Sequence, residues 1–253
     1  MHGHHVIAVD WSGRADARHA ETIWAAEVID GRLTSLQNGR TRDEVVAHLI
    51  ETTGDVTVGF DFSFSMPAWW FREQGWIGVE DAWRFARDRG EALITDHEPP
   101  FFGRAGSKAP PLAQRFRRTE LTAQPAKSIF QLAGAGAVGV GSLRGMPHLL
   151  SLREAGFAIW PFDAPGPRTV VEIYPRLLIA EPVDKGRWAA RRAYLRRFED
   201  TQDPILLERA AGSEDAFDAV VSALAMATGL GELAMATDLD EQLEGRIWRG
   251  TPA

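Results

Sequence analysis

The chain has 253 residues, 28 Lys and Arg against 35 Asp and Glu for a net charge of −7, and 45% hydrophobic residues. This is enough to bury a substantial core in an ordinary globular composition, and the negative balance excludes a wholesale basic coat for nucleic acid. The absence of cysteine excludes disulfides, thiolate metal sites and a cysteine nucleophile; no apolar run reaches the roughly 18 to 20 residues that span a bilayer and no signal-peptide pattern opens the chain, so a soluble, cytoplasmic protein with one domain over residues 1–253 is expected.

The first sixty residues predict a regular pattern. An apolar strand at 6–10 ends on Asp10. A strand over 21–29, an Asp30-Gly31 turn and a returning strand at 32–36 complete a three-stranded meander. Thr41 and Glu44 have capping-box spacing before a helix whose apolar side carries Val45, Val46, Leu49 and Ile50 and which stops before Gly54. A fourth strand over 56–61, in "VTVGFDFSFSMP", again delivers a carboxylate, Asp61.

From residue 63 to 167 the texture turns to Trp, Pro, Gly and basic residues, which predicts an insertion subdomain with helices over 79–89 and 146–155. Its segment "AGAGAVGVGSLRG" matches neither a P-loop nor a dinucleotide fingerprint and is expected to be a tightly turning loop. The aromatic group Trp69, Trp70, Phe71 and Trp76 suits core packing better than base stacking. The histidines of "HGHH" are assigned no role.

Regularity resumes at 168–174, "RTVVEIYP", a β-branched strand that carries Glu172, for which Arg176 is an available partner. A basic helix over 185–198 follows. Ser213 then caps an amphipathic helix that closes near Gly229, in which Asp215, Asp218 and Ser222 share a face and Ala219 and Ala223 permit close approach to a sheet. Ile247 and Trp248 are expected to dock on the core.

Acids are scarce inside strands, so Asp10, Asp61 and Glu172, joined by the helical pair Asp215 and Asp218, call for an explanation. Carboxylates gathered in one cleft repel one another and resist desolvation unless protons or divalent cations neutralise them. Hard oxygen ligands suit Mg²⁺ or Mn²⁺, which activate water and stabilise a leaving oxygen in phosphodiester cleavage. Capping of turns or of the helix N-terminus is the competing role, most apt for Asp215. Residues 99–119 contain no acid, and from this region Arg104 and Lys108, with Lys127 beyond it, are candidates for gripping phosphate of a nucleic acid or another phosphate-containing substrate.

The motifs "AVDWSG", "GFDFSFSMP", "VVEIYPR" and "DAFDAVVSALAMA", with "KSIFQLAGAGAVGVGSLRG" between them, resemble the family known as domain of unknown function 429 over nearly the whole chain. That resemblance implies a ribonuclease-H-like α/β fold, a mixed central sheet flanked by helices, with a long insertion after the fourth strand. It also implies a metal-dependent nuclease in which Asp10, Asp61, Glu172 and Asp218 hold Mg²⁺ or Mn²⁺ and Asp215 assists. The Asp-x-x-Asp spacing of Asp215 and Asp218 is similar to that of resolvase-type members of the fold. An actin-like ATPase or phosphotransferase is the alternative enzyme, since "DWSG" is near a phosphate-binding turn, and a non-catalytic binding module is the third reading.

Overall fold

The computed structural model describes residues 4–250 apart from 17, 19, 20, 124, 125, 135 and 232. Among the N-terminal histidines, His2 lies outside the described residues, and His5 pairs with Glu27 at 2.6 Å. The meander consists of β1 (His5–Asp10), β2 (Trp24–Ile29) and β3 (Arg32–Gln37). Asp30 and Gly31 both adopt positive φ, 52° and 76°, as a tight hairpin turn requires. β2 starts three residues later than expected, because Glu21 takes left-handed backbone at φ 52°.

The remaining strands are β4 (Val56–Phe60), β5 (Ala158–Ile159) and β6 (Arg168–Glu172). They assemble in the order β3-β2-β1-β4-β6-β5, with β2 antiparallel to both neighbours and β1, β4, β6 and β5 mutually parallel. The helices are α1 (Arg42–Glu51), α2 (Ala68–Gln74), α3 (Val79–Asp96), α4 (Arg118–Thr122), α5 (Gly139–Glu154), α6 (Trp188–Leu195), α7 (Pro204–Ala211), α8 (Glu214–Ala227) and α9 (Leu239–Glu244). The capping box of α1 forms as its spacing predicts: Glu44 N–H donates to Thr41 Oγ1 at 3.2 Å and Thr41 N–H to Glu44 Oε2 at 2.8 Å. Among the described residues no helix is long and apolar enough to cross a membrane.

The architecture is α/β in three layers. Ile7, Val9, Val58, Phe60 and Val170 pack on one face against α1, α2, α3 and α5, while Val6, Ala8, Val171 and Ile173 pack on the other against α6, α7 and α8. Burial on both faces explains why these strands are continuously apolar rather than alternating. Residues 63–167 do not fold around a core of their own. Phe64, Trp83, Leu93, Phe130 and Leu149 from this stretch join the cluster of Ile7, Val9 and Phe60, so the expected insertion supplies most of one helical layer and the edge strand β5 of the same sheet. Its tryptophans pack internally: Trp76 lies 4.9 Å from Phe85, Phe71 is buried, and Trp69 Nε1 donates to the Gln114 carbonyl at 2.7 Å.

The glycine-rich segment keeps its predicted loop only in its first part, where Gly134 and Gly136 take φ 87° and 78°. From Gly139 onward it is the first half of α5, and its glycines serve close packing. A Cβ on Gly139 would stand 2.1 Å from the Ile129 carbonyl oxygen, and one on Gly145 would stand 2.7 Å from the Phe62 ring. Gly139→Ala should therefore lose about 1–3 kcal/mol to overpacking, more than the up to ~1 kcal/mol that alanine recovers in a helix. Thermal unfolding checks this, with Gly166→Ala, whose Cβ meets nothing within 4 Å, as the silent control.

Candidate functional site

The site begins with strand register. Val9 is paired with Phe60, and Phe60 with Glu172, across three parallel strands. Side chains alternate along a strand, so these three point to one face, and the next residues, Asp10 and Asp61, point to the other. Asp61 N–H donates to the Val9 carbonyl at 3.1 Å, which seats the two aspartates side by side at the carboxyl ends of β1 and β4. Their face is the one covered by α8.

Helix α8 brings the third carboxylate. Ser213 Oγ accepts the Ala216 N–H at 3.0 Å and starts the helix, and the small Ala219 and Ala223 are buried with it against the sheet. Gly59 of β4 completes the close approach, since a Cβ there would lie 2.6 Å from Met226 Sδ. Asp218 is thereby 8% exposed, with Asp215 half-buried one turn before it. Lys185, in the loop before α6, contacts Asp218 Oδ2 directly. Its main chain is held by the buried Arg191, which donates to the carbonyls of Lys185 and Ala211.

The aspartates bear an electrostatic load. Burial, followed by repulsion from Asp61, Asp218 and Asp215, holds the Asp10 carboxyl well above the usual carboxylate range, with Lys185 opposing. Burial, then Asp218, with Glu172 and Asp215 adding and Lys185 opposing, push Asp61 up to about 8. Burial raises Asp218 to about 6 even though Lys185 pulls it down, and burial with Glu214 raises Asp215. Burial works against the Lys185 charge, but Asp218, Asp61 and Asp10 more than offset it and keep the ammonium protonated. Asp218 Oδ1 is buried without a hydrogen-bond partner. Among the described residues, no three or more His, Asp or Glu side chains are drawn together as a ready-made metal centre.

Glu172 lines the same cleft as Asp61 and adds to the repulsion on it, but its own oxygens are taken by a buried arginine. It sits one position short of register with Asp10 and Asp61 and so projects to the opposite face. There Arg117, fully buried just before α4, donates to both of its oxygens, Phe64 N–H donates to Oε2 at 2.9 Å, and Arg117 also donates to Glu120 and to the Glu244 carbonyl. The pairing foreseen with Arg176 falls to Arg117. Arg117→Met would leave two buried carboxylates without their cation and should cost about 3–5 kcal/mol, read as a lower urea midpoint.

A cleft of about 350 Å³ opens beside Asp61, between Trp11, Phe62, the 136–138 loop, Tyr174 and Ile247. Lys127 lines it and is exposed, whereas Arg104 and Lys108 are exposed elsewhere and do not. The basic stretch over 185–198 is largely spent on pairing: Arg192 meets Glu199 and Glu208, and Arg197 meets Glu181. Lys185 is the cation of that stretch that meets the aspartates, and sequence reasoning left it unmarked. Its position in the loop "EPVDKG", ahead of the helix proper, was the available signal.

No protein-family model, no curated protein and no solved structure matches the chain.

The raised acids set a pH dependence. A carboxyl that holds its proton to higher pH when folded makes the native state bind more protons, so stability falls as pH rises from the unfolded to the folded pKa. For Asp61 that window runs from 3.8 to about 8. Without divalent ions, Asp61→Asn should melt above the wild-type protein at pH 8 and converge with it near pH 4. Parallel melting curves for the two proteins across that range would contradict this assignment.

Proposed function

We propose that this chain is a divalent-metal-dependent phosphodiester hydrolase, a nuclease of ribonuclease-H-like fold and a relative of the domain of unknown function 429 family. The observation that carries the reading is the convergence of Asp10, Asp61 and Asp218, from three separated segments, under mutual repulsion at the carboxyl ends of parallel strands. Ligands in open α/β sheets bind at such an edge. The strand order β3-β2-β1-β4-β6-β5, with an antiparallel meander leading into parallel strands, supports the fold assignment.

The residues fit the ion. The donor set is all carboxylate, which suits Mg²⁺ or Mn²⁺ over softer metals, and Asp218 Oδ1 is a buried acceptor that lacks a partner. Asp10, Asp61 and Asp218 would hold it, with Asp215 adjacent and Glu172 nearby but committed to Arg117. When bound, such an ion polarises a phosphoryl oxygen and lowers the pKa of water. Lys185 balances the carboxylates, and Lys127 offers a cation to the substrate phosphate from the cleft side. The actin-like alternative loses its main support at Gly13: a Cβ there would lie 2.5 Å from Gly141 N, so the "DWSG" turn is closed against α5.

Labelled single strands, duplexes, hybrids and branched junctions incubated with Mg²⁺ or Mn²⁺ test the reading. At least one should be cleaved, with Asp10→Asn and Asp218→Asn slower by more than about 100-fold, since several kcal/mol of charge stabilisation disappear. Mn²⁺ calorimetry should show binding that weakens in Asp10→Asn. ATP turnover without cleavage would instead establish the phosphotransferase, and Mn²⁺ binding without turnover of either kind a binding module.

A further inference from the structure

Resting on that reading, we propose that the cleft beside Asp61 is a nucleoside pocket: it takes one unpaired nucleotide, base and sugar inside and phosphate at the aspartates. The cleft and the acids are continuous, because Asp61 belongs to both, so a phosphate that reaches Asp61 carries its next chemical group over the sheet edge into the cleft.

The walls select what that group is. Trp11, Phe62 and Tyr174 present aromatic surface, on which every base stacks. Glu120 and Glu172 lie at the inner side, their oxygens already taken by Arg117, Ser63 and the Phe64 N–H, so the inner wall is acidic and disfavours phosphate without asking for a charged group. The exposed cation, Lys127, contributes from the cleft lining. A ligand with an anionic end toward the solvent and a neutral, aromatic end inside matches this gradient.

Size sets the last limit: about 350 Å³ is at the lower end of ligand clefts, which span roughly 300–1,000 Å³, so a base enters only unpaired, from a single strand, a strand end or a flipped position.

Calorimetry with AMP, GMP, CMP and UMP, against inorganic phosphate and ribose 5-phosphate, each with and without Mn²⁺, tests this. At least one nucleotide should bind about tenfold or more tightly than either comparator, the worth of one stacked base. Val138→Trp, which fills the cleft, should remove that gain and leave Mn²⁺ affinity unchanged; Ala137→Phe is the second filling variant should the first fail to fold. Nucleotides that bind no better than phosphate, or a gain that survives both filled clefts, would overturn the pocket. Nucleotide binding sensitive to Val138→Trp in a protein that does not bind Mn²⁺ would keep the pocket and remove the metal reading instead.

Discussion

One register, Val9 beside Phe60 beside Glu172, decides which charged groups meet in this protein. Because side chains alternate, it sends Asp10 and Asp61 to the face covered by α8 and Glu172 to the face covered by α3 and α5. A shift of β6 by one residue would add a fourth carboxylate to the aspartates and withdraw Glu172 from Arg117. The parallel pairing that fixes this register is secured by apolar burial on both faces, so the placement of the acids depends on the hydrophobic core.

The two faces treat charge in opposite ways. Around Arg117 the protein satisfies what it buries: both Glu172 oxygens, Glu120 and the Glu244 carbonyl accept from one guanidinium, and Glu244 in turn accepts from Ala68 and Arg118 N–H groups. That network ties α2, α4, α9 and the end of β6 together. Around Asp218 it does not: three carboxyl groups crowd one ammonium, burial and repulsion make each resist ionisation, and one buried oxygen is left without a partner. Buried charge that a fold leaves unbalanced is a drain on stability, and such sites cluster where proteins bind or react.

Much of this was legible in the sequence. The meander, the capping box at Thr41 and Glu44, the strand-end positions of Asp10 and Asp61 and the inward face of α8 follow from short-range patterns of alternation, turn residues and helical period. What stayed hidden depends on pairing across distance. Glu172 looks equivalent to Asp61 until the register of β6 is known, and Arg117 lies in a basic stretch where nothing local marks it as buried. The glycines of 133–145 read as turn formers because glycine's two uses, left-handed backbone and close approach, leave the same trace in a sequence; only the positions of Ile129, Phe62 and Gly13 distinguish them. Lys185 was obscured by the arginines that follow it, most of which serve ordinary surface pairs.

The same register also shapes the space beside the acids. With Glu172 turned toward Arg117, the cleft wall joins the apolar Ile173 and the aromatic Tyr174 to the acidic Glu120 and Glu172. Its opposite wall comes from Trp11 and Phe62, the residues that directly follow Asp10 and Asp61 in sequence, so each aspartate is chemically bonded to part of the surface that would orient a ligand. Movement of either strand end would therefore disturb the acids and the cleft together. The glycines of α5 oppose such movement: Gly13 against Gly141 and Gly145 against Phe62 seat the helix directly on the residues that follow the two aspartates.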